Sequence, residues 1–132
     1  MDDLSGLRVL LVEDEGGVAL LIEDMLEELG CVMVASAARL GRAYEAVQSK
    51  VLDLVVLDVN VAGETSFDFA RMLVARGTPF VFSTGYGVGG LPVDLQNQLV
   101  LAKPFSLSDL RRSIKAALPK CTSDQPRNGA CL

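Results

Sequence analysis

The sequence of 132 residues contains no histidine at all. That absence removes histidine-based acid–base or nucleophilic catalysis and most zinc sites. Positive charge is also scarce. Twelve Lys and Arg face seventeen Asp and Glu, a net charge of -5. A nucleic-acid partner is not expected, because such binding needs a basic face to displace counterions. No run of about 18 uncharged apolar residues occurs, and no secretory pattern opens the chain, so neither a membrane span nor a membrane partner is expected. Cysteine is limited to Cys31, Cys121 and Cys131, without metal-ligand spacing. An odd number of thiols in an unsecreted chain points to a reduced, cytoplasmic protein.

What is present is apolar and periodic. Half the residues are hydrophobic and 22% are charged, enough to build the core of one domain. Leu7 to Val12 is an apolar run ending in Glu13-Asp14-Glu15. Val18, Leu21, Ile22, Met25, Leu26 and Leu29 then recur at helical spacing, and Gly30 ends that helix. The same alternation repeats. Cys31–Ala35, Leu54–Leu57, Pro79–Phe82 and Val100–Ala102 read as further strands. Leu40, Ala43, Tyr44 and Val47 mark a second helix, Phe69, Ala70 and Leu73 a third, and Leu107, Leu110, Ile114 and Leu118 a last one, opened by the capping pattern Ser106 to Asp109. Continuous apolar strands alternating with amphipathic helices predict a doubly wound parallel α/β sheet covered on both faces. Residues 85–98 break the pattern, with Gly85, Gly87, Gly89 and Gly90 crowding the first half. The fourth helix is therefore expected to be shortened or mobile. Residues 1–119 are expected to form the domain, and residues 120–132 a flexible C-terminal tail.

In such sheets ligands sit beyond the carboxyl ends of the strands. The polar residues there are Glu13 and Asp14 after the first strand, Asp58 and then Asn60 after the third, Ser83 and Thr84 after the fourth, and Lys103 after the fifth. Three carboxylates at one edge repel one another unless a cation is close, and a hard divalent ion with oxygen ligands answers that need. An Asp nucleophile with a cation, a Lys and a hydroxyl suits phosphoryl transfer. Ser83 is read as a neighbour of Thr84 without a role of its own.

These motifs together resemble the receiver domain of two-component response regulators over roughly residues 7–118. They are Val9-Leu10-Leu11-Val12-Glu13-Asp14-Glu15, Val55-Val56-Leu57-Asp58-Val59-Asn60, Ser83-Thr84-Gly85 and Lys103-Pro104-Phe105. The resemblance implies a flavodoxin-like (βα)5 fold with strand order 2-1-3-4-5 and a cis peptide before Pro104. It implies Asp58 as phospho-acceptor, assisted by Thr84 and Lys103, and Mg2+ held by Glu13, Asp14, Asp58 and the backbone of Asn60. The chain would then be a stand-alone receiver domain, not an enzyme in its own right, and a monomer or weak dimer. It would take its phosphoryl group from a sensor histidine kinase or a His-containing phosphotransfer protein. Phe82-Ser83-Thr84-Gly85-Tyr86-Gly87 resembles a subgroup of single-domain receivers whose fourth helix is reduced. The sequence departs from common receivers at Val100, where many carry an aromatic, and in the loop Ala62-Gly63-Glu64-Thr65. The alternative is a magnesium-dependent phosphohydrolase with an Asp nucleophile. Such enzymes place a second Asp two residues on, where this chain has Asn60, a side chain unable to shuttle a proton.

Overall fold

The computed structural model describes residues 4–85 and 90–119. Five strands, β1 (Arg8–Val12), β2 (Val32–Ala37), β3 (Leu54–Asp58), β6 (Phe80–Thr84) and β7 (Val100–Ala102), pair in parallel in the order β2-β1-β3-β6-β7. A small antiparallel hairpin, β4 (Asn60–Val61) and β5 (Glu64–Thr65), stands apart from this sheet. Discounting the hairpin, this is the expected order 2-1-3-4-5, with β3 at the centre between β1 and β6. The helices are α1 (Gly16–Glu28), α2 (Leu40–Ser49), α3 (Phe67–Arg76) and α4 (Leu107–Ala117).

Alternation along the strands splits the core in two. Leu10, Val12, Val55, Leu57, Phe80 and Phe82 face α2 and α3, meeting Ala43, Val47, Phe69 and Leu73. Val9, Leu11, Val56, Val81 and Leu101 face α1 and α4, meeting Ile22, Leu26, Leu110 and Ile114. Both faces of the sheet are therefore covered, as the unbroken apolar runs require.

One expected core position is corrected. Leu21 is 59% exposed, and Ala19 takes its place inward beside Ile22 and Leu26. The apolar residues of α1 form a stripe wider than the sheet can cover, so the sequence pattern alone does not decide which edge stays outside.

Between β6 and β7, among the described residues, one 3-10 turn, Val93–Leu95, stands where a fourth helix was expected to be shortened. Leu91 and Leu95 are buried in the core beside α3, so the second half of this segment is anchored rather than loose. Outside the turn, Arg71 of α3 binds Asp94 with its Nε at 2.8 Å from Oδ2. Gly87, Gly89 and Tyr86 lie outside the described residues, as does the expected tail at 120–132.

Candidate functional site

The carboxyl ends of β1, β3 and β7 converge on a cleft of about 580 Å3. Strand β1 delivers Glu13 and Asp14, one buried and one exposed, because the chain leaves the sheet between them. Strand β3 ends on Asp58, which is 7% exposed. Glu13, Asp14 and Asp58 each offer a carboxylate oxygen within 4.8 Å of the others. Lys103 reaches into this group from the end of β7. Its Nζ lies 2.9 Å from Glu13 Oε1 and 3.2 Å from Asp58 Oδ2. The Lys103–Pro104 peptide is cis, as the motif implied.

The electrostatics follow from this crowding. Burial and the nearby Glu13 charge push the Asp58 carboxyl up to about 6, against the pull of Lys103. Burial works to lower the Lys103 ammonium. Its hydrogen bond to Glu13 and the charges of Asp58 and Glu13 prevail, so it is raised and stays charged. The site thus holds one cation for three carboxylates, an imbalance that a further cation would relieve. The donor set is all oxygen, which suits a hard ion.

The remaining expected residues occupy the same edge. Thr84 ends β6, is buried, and its carbonyl accepts the Lys103 N–H at 2.8 Å. Asn60 follows Asp58 and is exposed; its backbone N–H donates to Asp58 Oδ1 at 3.4 Å. Asp14 Oδ2 accepts the Ala62 N–H at 2.9 Å, which ties the hairpin loop to the acidic pair. Ala62 holds φ at 52°, a left-handed conformation that strains any residue with a Cβ.

Sequence reasoning passed over Ser66. It is fully buried, and its hydroxyl donates to the Asp58 carbonyl at 2.6 Å. A Ser directly before Phe67 reads as a helix cap, yet no side-chain cap bond is made and the hydroxyl fixes the end of β3 instead. Only the fold brings residues 58 and 66 together. One wall of the cleft is apolar, built from Val18, Leu21 and Met25 of α1 and from Phe105.

The receiver-domain profile, described as the response regulator receiver domain, matches residues 9–115. The chain belongs to this family. Receiver domains are phosphoryl-accepting signalling modules, and the chain is one. It is 32% identical over 117 residues to the transcriptional regulatory protein PdtaR of Mycobacterium tuberculosis, covering 86% of this chain and 57% of that protein. The chain therefore spans little more than half of that relative. Among solved structures, SdrG from Sphingomonas melonis Fr1 is similar at a TM-score of 0.76 and 33% identity, covering 85% of this chain and 96% of that one. The receiver domain of the sensor histidine kinase PA1611 from Pseudomonas aeruginosa is similar at a TM-score of 0.70 and 25% identity, covering 86% and 98%. A magnesium ion is coordinated in the active-site cleft of that protein. Receiver domains as a family bind Mg2+ in an acidic pocket and work with histidine kinases or phosphotransfer proteins. Among the described residues no helix is long and apolar enough to cross a membrane.

Proposed function

We propose that Asp58 is the phospho-acceptor of this receiver domain. The observation that carries the reading is its carboxylate, buried at the end of β3, 3.2 Å from the Lys103 ammonium and within 4.8 Å of two further carboxylates. With its pKa near 6 the group is mostly ionised at neutral pH, so it needs no general base to attack. An Asp58 oxygen bonds to phosphorus, and the bond from phosphorus to the donor nitrogen breaks with its electron pair leaving on the donor. Lys103 moves its charge onto the phosphoryl oxygens, and the Thr84 hydroxyl binds one of them. Glu13, Asp14 and Asp58, with the Asn60 backbone, are the residues that would hold Mg2+, whose contribution is to neutralise charge on the transferring group.

None of the 132 residues is a histidine, so a phosphohistidine donor has to lie outside them. We assign that role to a sensor histidine kinase or a His-containing phosphotransfer protein. The apolar wall of Val18, Leu21, Met25 and Phe105 beside Asp58 supports docking of such a partner. The phosphohydrolase alternative gains nothing from the geometry: Asn60 points no carboxyl group at Asp58, offering it a backbone N–H.

The test is intact-mass measurement after incubation with Mg2+ and a small-molecule phosphodonor. The wild type is expected to gain one phosphoryl group and Asp58→Asn none. A gain that persists in Asp58→Asn would move the acceptor elsewhere.

A further inference from the structure

Ser83 precedes Thr84 and faces the other side of the sheet. Its in-register neighbours are Asp58 on β3 and Leu101 on β7. Residues paired across parallel strands project to the same face, so the Ser83 side chain stands next to that of Asp58. Lys103, two residues beyond Leu101, issues from that face as well and closes on Asp58 at 3.2 Å. Ser83 is therefore on the strand between the acceptor and the lysine. It is fully buried, and its Oγ is the buried side-chain polar atom left without a hydrogen-bond partner among the described residues. Buried hydroxyls are normally paired. The neighbouring buried polar groups are paired: Glu13 and Asp58 hold Lys103, and Ser66 holds the Asp58 carbonyl. An Ala at this position would fold without the burden of an unpaired hydroxyl.

We propose that the Ser83 hydroxyl serves the phosphorylated state: it donates to the Asp58 oxygen that bears the phosphoryl group and shortens the lifetime of the aspartyl phosphate. The inference rests on Asp58 being the acceptor. In the resting protein the Lys103 ammonium occupies Asp58 Oδ2. Once that oxygen is esterified it carries little charge, and Lys103 is drawn to the phosphoryl oxygens. Adjacent strands lie about 4.8 Å apart, a gap that rotation of the Ser83 hydroxyl about its Cα–Cβ bond can bridge. During hydrolysis water attacks phosphorus, the bond from phosphorus to the Asp58 oxygen breaks, and its electron pair returns to the carboxylate. The water oxygen and its protons leave with inorganic phosphate. Negative charge grows on the Asp58 oxygen along this path. A hydrogen bond donated to it is stronger in the transition state than in the ester and accelerates the step.

The experiment follows decay of the phosphorylated full chain by intact mass, at fixed Mg2+, after removal of a small-molecule phosphodonor. Ser83→Ala is expected to lengthen the half-life by about threefold to tenfold, the scale of one ordinary hydrogen bond, since the oxygen is only partly charged in the transition state. Ser83→Thr, which keeps the hydroxyl, is expected to decay near the wild-type rate. Unphosphorylated Ser83→Ala should melt no lower than the wild type, because the hydroxyl has no resting partner to lose. Decay of Ser83→Ala at the wild-type rate overturns the proposal, as does equal slowing in Ser83→Ala and Ser83→Thr or a lower melting temperature in Ser83→Ala. A wild type that never gains the phosphoryl group overturns the acceptor reading and this inference with it. A wild type that gains it and decays like Ser83→Ala overturns the inference alone.

Discussion

At the scale of the residue, Asp58 sits where its own charge is disfavoured. Its carboxyl is raised to about 6 by burial and by Glu13, against roughly 3.9 for an unfolded chain. Between those two values the folded state binds the proton more readily than the unfolded one. Stability contributed by Asp58 is therefore greatest at low pH, falls as pH rises from about 4 to about 6, and is fully lost above that. At pH 7.5, without divalent metal, the folded protein carries the whole cost of this ionised group. Asp58→Asn, which mimics the protonated form, is expected to stabilise the metal-free protein there by about 1–2 kcal/mol. The gain should shrink on going to pH 5. Thermal melts in a chelator at the two pH values provide the check, and a gain that does not depend on pH would show that ionisation is not its cause. Asp58 was legible as a residue of interest because an apolar run ends on it. The repulsion from Glu13 that helps raise its pKa was legible in the acidic residues gathered at one sheet edge; the larger cause, burial, was not, because only the fold sets it.

At the scale of the element, α4 is the helix with a complete side-chain cap. Ser106 Oγ accepts the Asp109 N–H at 3.0 Å, and Asp109 Oδ2 accepts the Ser106 N–H at 3.2 Å. The pattern Ser106 to Asp109 announced this from sequence, since a capping box is local and needs no tertiary partner. Strand β7, which α4 follows, shares this anchor with the cleft: the box closes the short link from Lys103 through Pro104 and Phe105. Ser106→Ala is expected to cost about 1 kcal/mol, read as a lower urea midpoint with an unchanged slope. A change in slope instead would mean that the unfolded state, or cooperativity, had been altered. The hairpin of β4 and β5 was not legible. It is two residues a side, held by Asp14 through the Ala62 N–H and turned by Ala62 and Gly63 at positive φ. Nothing in the local sequence requires Ala62 to adopt that conformation. The helix stripe of α1 was legible as amphipathic but not in its orientation, which left Leu21 on the wall of the cleft.

At the scale of the whole molecule, the acidic cluster, read as a Mg2+ site, would couple stability to metal. A ligand that binds only the folded state stabilises it by mass action, about 2.7 kcal/mol at a hundred times Kd. Mg2+ is accordingly expected to raise the melting temperature in proportion to the logarithm of its concentration. Asp14→Asn should shift that dependence to higher Mg2+, because Asp14 is the exposed member of the cluster and faces the cleft. Titrated melts of both proteins measure it; coincident curves would remove Asp14 from the metal site.

The sequence by itself determined the class of fold, and its resemblance to receiver domains implied the order of the strands. Period and apolar run length are local signals, and the carboxyl-end rule turned a strand pattern into a short roster of site residues. It also determined that no histidine donor lies within these 132 residues. Only the tertiary structure decided what those residues do to one another. Lys103 meets Glu13 at 2.9 Å across 90 positions of sequence, and Ser66 meets the Asp58 carbonyl across 8. Ser83 read as a bystander to Thr84 until strand pairing set it beside Asp58 with an unpaired hydroxyl. The physical reason is common to all three. Hydrogen bonds and charge interactions act over a few ångströms, so their strength depends on through-space distance, which chain folding sets and sequence separation does not.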